Sequence, residues 1–394
     1  MNTPKIRFKG FADDWEQRKL GEVCEIKDSA RIPNSEWSES GVPYIRASDV
    51  TNENTDGVLF ISQERYEFYK NRTGAPTKDD VLFNGGGEIG KSLLITDEKP
   101  IYVQGGAVLY AQTSKSRELV GQYLKTYFET TNAKSYIDAA SAGGTMRHFT
   151  LKPSQIMRIL MPSVEEQEKI GEYFANLDQL ITLHQRKCDE TKQLKKFMLQ
   201  KMFPKNGEKN PEIRFEGFTD DWEQRKVSEL FRVTRGYVLA ATQTNTTKTD
   251  EKPYPVYSSQ TKDKGLMGYY KDYLYEDAIT WTTDGANAGT VNYRAGKFYC
   301  TNVCGVLLSN EVKANQMIAE ALNNVAKGYV SYVGNPKLMN NVMADIVIQI
   351  PTQAEEREML SSLFASLDHL ITLHQRKCEK LKELKKYMLQ NMFV

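Results

Sequence analysis

The segment with the strongest chemical signature is a glycine-rich run, GGGEIGKS, at residues 85–92. Its spacing fits G-x-x-x-x-G-K-[S/T], in which backbone amides and a lysine hold nucleotide phosphates. Such a loop needs a helix directly after Lys91, because amides at a helix N-terminus point toward the phosphates. The residues that follow, LLITDEKPIYV, are apolar and β-branched, which predicts a strand. We therefore favour a hairpin loop whose backbone approaches a ligand, with a P-loop nucleotide-binding enzyme using residues 85–92 as the alternative.

Two histidine–cysteine pairs have the spacing of metal ligands on one helical face. His184 and Cys188 are four residues apart, and His374 and Cys378 repeat them. Four such groups form a ligand set for zinc if they converge. Because buried cysteine usually behaves as a small apolar residue, we favour a packing role between helices and predict no metal site.

The sequence contains no evident catalytic set. G-x-S-x-G, H-E-x-x-H and N-P-P-Y motifs are absent, and the four histidines form no evident catalytic group. With a net charge of +1, contact with nucleic acid must come from local patches. Five cysteines without a C-x-x-C motif, and no apolar run of membrane-spanning length, predict a protein of the reducing cytoplasm. These features favour a binding protein over an enzyme.

Two segments of the chain occur twice. LDQLITLHQRKC at 177–188 returns as LDHLITLHQRKC at 367–378, and PKIRFKGFADDWEQRKLGEV at 4–23 returns at 211–230 as PEIRFEGFTDDWEQRKVSEL. We call the segments near the start of each half repeat A and the others repeat B. Two copies of a large unit are not a solenoid, which requires at least three short ones. They predict a two-fold object made from one chain.

Repeat B lies in two amphipathic helices. Apolar residues recur at spacings of three and four through both copies, and Ser163 and Thr352 are expected to cap the helices. The two stripes most simply bury each other in an antiparallel coiled coil. The predicted core of this pair is Leu177, Leu180, Ile181, His184 and Cys188 with Leu367, Leu370, Ile371, His374 and Cys378.

The blocks between the repeats combine short β-branched and aromatic runs with Gly, Asn, Asp and Pro. Runs such as VPYIRASDV (42–50), DVLF (80–83) and AITWTT (278–283) predict strands, and residues 117–130 and 312–326 predict helices. The fold class is therefore α+β, with two pseudo-symmetric mixed domains separated by the two-helix coiled coil. A constant frame with variable loops suits a protein whose halves recognise two different things.

Loops that mix amide, aromatic and basic residues supply the candidate nucleic-acid contacts. Amides and Arg or Lys can read base edges, whereas Gly and Ser let the backbone approach phosphate. The candidates in the first block are Tyr44, Arg46, Asn84, Lys91, Gln104, Arg147 and His148. Those in the second block are Tyr257, Ser259, Gln260, Lys262, Asn287, Asn302, Asn335 and Lys337.

The chain resembles the specificity subunit of type I restriction–modification enzymes. The resemblance rests on WEQRKLGEV at 15–23, its repeat at 222–230, PSVEEQEKI at 162–170 before a long helix, and YPVYSSQ and AITWTTDGANAGTV in the second block. It covers essentially the whole chain. One departure is Arg357 where the first copy has Gln167, a position we expect on the outer face of the helix.

The resemblance implies a specific organisation. Residues 1–163 and 205–352 would be two target-recognition domains, and residues 164–204 and 353–394 two long helices. Each domain would read one half of a bipartite, asymmetric site in double-stranded DNA, and the helices would set the spacer. Two methyltransferase subunits, which use S-adenosylmethionine to methylate adenine, would dock on repeats A and B, and two ATP- and Mg²⁺-dependent restriction subunits would join the complex. This chain would carry no cofactor, catalyse nothing and contact no membrane. A coiled-coil scaffold without DNA specificity is the other alternative.

Overall fold

The computed structural model describes residues 3–141, 147–205, 207–259 and 262–393, without the side chain of Lys262. The chain forms two compact units, Met1–His184 with Arg376–Val394, and Gln185–Gln375. Each unit therefore includes part of both long helices. The physical reason is packing, because apolar helix residues such as Phe174 and Phe364 are buried in the cores of their own units.

Within its described residues, the first unit has two four-stranded sheets and one strand pair. The strand orders are β2-β9-β6-β7, β3-β5-β4-β8 and β1-β10, with β4 and β8 parallel and every other pair antiparallel. The strands are β1 (Glu16–Lys19), β2 (Ile26–Asp28), β3 (Trp37–Ser38), β4 (Val42–Ile45), β5 (Phe60–Ile61), β6 (Val81–Asn84), β7 (Ser92–Leu94), β8 (Tyr102–Val103), β9 (Val108–Ala111) and β10 (Arg158–Met161).

The helices of this unit cover its sheets and lead into the first long helix. They are α1 (Leu20–Val23), α2 (Ala47–Thr51), α3 (Gln63–Thr73), α4 (Gly121–Phe128), α5 (Thr131–Ala140), α6 (Leu151–Ile156) and α7 (Val164–Lys201). The strand predicted for residues 42–50 is wrong after Ile45. There the Asp49 carboxylate accepts a hydrogen bond from the Arg46 backbone N–H and closes a short helix.

In the part of the second unit that the structure describes, there is a six-stranded sheet, β12-β17-β15-β16-β13-β14, and the strand pair β11-β18. Its strands are β11 (Glu223–Lys226), β12 (Phe231–Arg235), β13 (Tyr254–Tyr257), β14 (Leu266–Tyr270), β15 (Tyr275–Thr282), β16 (Val291–Cys300), β17 (Cys304–Ser309) and β18 (Val347–Ile350). Its helices are α8 (Val227–Leu230), α9 (Gln316–Val325), α10 (Asn340–Asp345) and α11 (Ala354–Asn391).

The two units share one scaffold. The order β2-β9-β6-β7 in the first corresponds to β12-β17-β15-β16 in the second, and each unit adds one parallel pair, β4-β8 or β13-β16. In each, repeat A forms a strand that pairs with the strand before the long helix. The predicted α+β class with a repeated frame is confirmed.

Within the first unit, α7 and the end of α11 run antiparallel. The Cys378 thiol contacts the Ile181 carbonyl at 4.0 Å, and Lys385 Nζ donates to Asp178 at 2.5 Å. Residue numbers rise along one helix while those of their partners fall along the other, so the two helices run in opposite directions. Lys385 also pairs with Glu129 after α4, which ties the helix pair to the domain.

The second unit repeats this arrangement with the helices exchanged. The Cys188 thiol contacts the Ile371 carbonyl at 3.9 Å, and Lys195 Nζ donates to Asp368 at 2.6 Å and to Glu320 of α9 at 2.7 Å. The antiparallel coiled coil predicted from the two stripes is therefore confirmed.

Two residues assigned to the core of this coiled coil are misplaced. Leu180 and Leu370 are 43% and 41% exposed, whereas Leu177, Cys188, Leu367 and Cys378 are buried. Ile181, His184, Ile371 and His374 are half-buried at the edge of the seam. Leu180 and Leu370 lie about 60° around the helix from the buried leucine three residues before them, and at this angle their side chains stay exposed.

The outer-face position expected for Arg357 does not hold for its counterpart in the first copy, Gln167. Its side chain is fully buried, accepts a hydrogen bond from the Val120 N–H and donates to the carbonyls of Glu118 and Pro162. Arg357 is half-buried and donates to the carbonyl of Pro351 at 2.6 Å. Both side chains therefore satisfy a carbonyl just before their helix, which explains how two unlike residues fill the same place.

Candidate nucleic-acid interface

The glycine-rich loop is a hairpin between β6 and β7. The N–H groups of Gly85 and Gly86 donate to the Ala107 carbonyl at 2.9 and 3.1 Å, and that of Gly90 donates to the Asn84 carbonyl at 2.9 Å. These amides are already used within the protein, and Ser92 begins a strand instead of a helix. The P-loop alternative is therefore wrong, and the predicted strand after Lys91 is confirmed.

Three of the predicted contacts in the first unit gather around this loop. Lys91 lines a cavity of about 500 Å³, and Arg147 and His148 line a neighbouring recess of about 440 Å³. Ile89 and Asp138 line both, and Arg147 donates to Asp138 at 2.9 Å. Lys91, Arg147 and His148 are exposed, so this cluster presents basic groups to solvent.

Two predicted contacts of the first unit belong to the interior instead. Tyr44 is 1% exposed and its ring stacks against Tyr102. Asn84 is fully buried, and its amide nitrogen donates to the Ala47 carbonyl and the Thr51 hydroxyl, which fixes α2. These two assignments are wrong because β4 and β6 are covered on both faces, so neighbouring side chains of each strand are buried whichever way they point.

Arg46 and Gln104 lie close to the glycine-rich loop through short backbone links. The Gln104 N–H donates to the Ile45 carbonyl, and the Gln104 carbonyl accepts a hydrogen bond from the Ala107 N–H. The Ala107 carbonyl is the group that accepts hydrogen bonds from the glycine-rich loop. The Arg46 side chain pairs with Asp49 at 3.1 Å. Both residues remain partly exposed candidates at the rim of the cluster.

In the second unit, three loops that the sequence singled out converge. The Asn287 amide donates to the Ser259 carbonyl at 3.2 Å, and the N–H of Thr301, beside the exposed Asn302, donates to the Tyr257 carbonyl at 2.9 Å. Residues 257–259, 282–290 and 300–304 therefore form one surface.

The loop that carries Asn335 and Lys337 joins the same surface. Lys337 pairs with Asp284 in an isolated bridge, and its Nζ lies 3.8 Å from the Asp284 carboxylate. Asn335 and Lys337 are both exposed. Gln260 lies outside the described residues, and of Lys262 only the backbone is described.

Arg294 on β16 is a site residue that the sequence reading missed. It is 7% exposed and lines a cavity of about 220 Å³ beneath the converging loops, together with Ser258, Asn287 and Asn292. Burial lowers the pKa of its guanidinium from the ordinary value. The signal in the sequence was the two-residue period of the strand, which puts Asn292 and Arg294 on one face.

Comparison with known proteins agrees with this architecture. A sequence profile described as "Type I restriction modification DNA specificity domain" matches residues 12–193 and 219–383. The chain belongs to the type I restriction–modification specificity-subunit family. It is thus a specificity subunit with two DNA-specificity domains, one in each repeat of the scaffold.

Related specificity subunits support the assignment. One from Mycoplasma pneumoniae is 36% identical over 141 residues, which are 35% of this chain and 74% of that sequence. The MjaX specificity subunit of Methanocaldococcus jannaschii is 20% identical over 98% of this chain and 94% of its own. For two other M. pneumoniae specificity subunits, the match spans only 38% of their length. The crystal structure of an S subunit from M. genitalium superposes on this chain with a TM-score of 0.74. The match covers 100% of this chain and 99% of that one at 14% sequence identity, so the two proteins share the fold.

The repeated thiols of the specificity subunit have a packing role. Cys188 and Cys378 are buried against helix carbonyls of the facing helix. Among the described residues, no group of three His, Cys, Asp or Glu side chains is arranged to hold a metal ion. Nor does any helix in the described part of the chain have the length and apolarity needed to cross a membrane.

Proposed function

We propose that this specificity subunit recognises a bipartite DNA site, with one half read by each variable domain and a spacer set by the long helices. Two methyltransferase subunits dock on it, and two restriction subunits join the complex. The observation that carries the proposal is one strand order occurring twice with unlike loops at its rim. A repeated frame presents two recognition surfaces in the same way, whereas unlike loops give each surface its own sequence preference.

A repeated apolar patch supports the docking of two identical partners. In the first unit, Leu180, Leu183, Leu384 and Tyr387 are 41–55% exposed on the long helices. In the second unit, the matching residues, which are Leu370, Leu373, Leu194 and Phe197, are 37–46% exposed. We call these the first and second flank patches. Exposed apolar side chains that recur in both units favour association with another protein. Because the two patches are equivalent, they favour the binding of two copies of that protein.

Partner subunits supply the chemistry in this proposal. S-adenosylmethionine would bind to the methyltransferase subunits, and ATP with Mg²⁺ would bind to the restriction subunits. The specificity subunit supplies sequence recognition and the geometry of assembly. A scaffold without DNA preference would use the flank patches but would leave the loop surfaces without a role.

A domain exchange tests the recognition of two half-sites. Residues 24–157 are replaced by the same block of a related specificity subunit, with the junction before Arg158 so that β10 still pairs with β1. Methylation is then mapped across the genome in cells that contain the cognate methyltransferase. One half-site should change and the other should stay. If both half-sites change, the two domains do not read DNA independently. Circular dichroism of the exchanged protein shows whether a loss of methylation comes from unfolding.

A cell that lacks the gene provides the baseline for the same map. Loss of all sequence-specific adenine methylation attributable to this complex is expected. Methylation that persists at the same sites without this chain would contradict its role in specificity.

A further inference from the structure

The cavity around Arg294 in the second unit holds a buried guanidinium whose role the reading of DNA bases does not explain. The guanidinium lies 3.7 Å from the centre of the Tyr257 ring. Its Nε donates to the Thr280 hydroxyl at 3.0 Å, and Nη2 donates to the Lys264 carbonyl at 2.7 Å. These contacts fix the orientation of the side chain.

Arg294 has no carboxylate partner within the described part of the chain. Lys264 lines the same cavity, but its Nζ is already 3.0 Å from Asp368. The other polar lining groups are hydroxyls and amides, from Ser258, Thr280, Thr282, Asn287, Thr290 and Asn292. None of the described lining residues is Asp or Glu. A buried charge normally needs an opposite charge, so this cavity is short of one negative group.

We propose that the Arg294 cavity is an anion site that takes a backbone phosphate of the DNA bound by the second domain. Hydroxyl and amide groups around a fixed guanidinium suit the three-dimensional oxygen array of a phosphate. The cavity also opens beneath loops 257–259 and 282–290, which carry the candidate base contacts of this unit.

Recognition of a base edge fits the geometry less well. Bidentate reading of guanine needs a free pair of guanidinium nitrogens in the plane of the base. In Arg294, Nε and Nη2 are both held by protein oxygens, and the flat face is covered by Tyr257. A phosphate contact positions the DNA without adding sequence information. The assignment rests on the proposed function, because it assumes that this surface faces DNA.

The test compares Arg294→Met with Lys297→Met in complexes with the cognate methyltransferase. Lys297 is an exposed residue of the same strand, so its variant controls for the loss of one surface charge. Binding of a fluorescent duplex that contains the mapped site is measured at several salt concentrations. Arg294→Met should weaken binding about tenfold and lower the slope of log K against log salt by about 0.9, as expected for one lost phosphate contact. The loss should be equal for the cognate duplex and for duplexes with single base changes in either half-site.

Stability of the DNA-free chain separates a binding role from a structural one. Since methionine removes a buried charge that lacks a carboxylate partner in the described structure, Tm should stay the same or rise. A lowered Tm with unchanged DNA affinity would make Arg294 structural and overturn the proposal. So would a loss confined to one base position, or an equal loss in the Lys297→Met complex.

Inorganic phosphate tests the anion site without DNA. At constant ionic strength, phosphate should raise the Tm of the wild-type chain more than that of Arg294→Met, because only the wild-type cavity binds phosphate. General salt effects change the Tm of both proteins equally. Equal responses overturn the anion site. A wild-type complex without sequence preference would instead contradict the proposed function, while the phosphate comparison still decides whether the cavity binds an anion.

Discussion

Arg7 donates hydrogen bonds from Nε and Nη2 to the two carboxylate oxygens of Glu166, at 2.7 and 2.8 Å. Glu166 is buried in the first turn of α7 and also accepts from Trp15 Nε1 at 3.2 Å. The Glu166 carboxylate raises the pKa of the Arg7 guanidinium. Arg214 makes the same bidentate pair with Glu356 in the other unit. Repeat A is therefore tied to the start of the long helix by the same contact in each unit.

Arg7→Met should lower the free energy of unfolding by about 3 kcal/mol, because it leaves the buried Glu166 carboxylate without its cation. Arg7→Met combined with Glu166→Leu should recover part of this loss. Calorimetry of the full chain measures both. Arg186→Met removes an exposed pair with Glu190 and is the control, with no change in stability expected. Equal effects of Arg7→Met and Arg186→Met would show that burial of the first pair is not important.

Leu183→Glu should remove one of the two methyltransferase copies, because it puts a charge into the first flank patch. Leu373→Glu should remove the other copy, and the double variant should bind none. Native mass spectrometry of the assembled complex gives the stoichiometry. The control is Thr182→Glu, which adds the same charge at an exposed position about 100° around the helix axis from Leu183. This variant should retain both methyltransferase copies. Loss of both copies from either single variant would contradict two independent docking surfaces.

Insertion of four helical residues between His184 and Gln185, with four more between Gln375 and Arg376, should lengthen the preferred DNA spacer. These positions keep the Lys385–Asp178 and Lys195–Asp368 pairs within their own units. The added length is about 6 Å at about 1.5 Å per residue. Since B-DNA rises about 3.4 Å per base pair, the spacer should grow by one to two base pairs. Methylome mapping should show unchanged half-sites.

Four residues inserted into the linker at 204–212 control for added chain length and should leave the spacer as it was. An unchanged spacer in an active complex with lengthened helices would mean that other elements set the spacing of the half-sites.

A circular permutant should assemble normally if it is opened in the linker at 204–212 and joined from the C-terminus to the N-terminus by a short peptide. The Ile6 N–H donates to the Asn391 carbonyl at 2.9 Å, just as Ile213 donates to Lys201 at 2.8 Å in the second unit. Phe393 also packs against Trp15. The first and last segments of the described chain are therefore in contact, and a short peptide is expected to join them with little strain.

Size-exclusion chromatography and duplex binding with methyltransferase measure the outcome. A permutant opened inside β12 should fail to fold, because it interrupts the pairing of β12 with β17 in the six-stranded sheet of the second unit. If the linker permutant folds but cannot bind methyltransferase, continuity of the linker is needed for docking.

Local pattern in the sequence was enough to identify the duplication, the long helices and most of the strands. The spacing of Ile170, Phe174 and Leu177 predicts an amphipathic helix, and all three are buried on α7. The preference for a strand after Lys91 was also local, since the run that follows is apolar and β-branched. Family resemblance then supplied the expectation of paired DNA-specificity domains.

Tertiary structure decided which side chains are available. Tyr44 and Asn84 have the chemistry of DNA contacts, but packing against Tyr102 and α2 places them inside. Leu180 and Leu370 continue an apolar stripe, yet the facing helix covers only part of its width. Arg294 became a candidate because strands and loops distant in sequence enclose it without a carboxylate in the described lining. Burial and charge pairing depend on contacts between distant segments, and these are determined only when the chain folds.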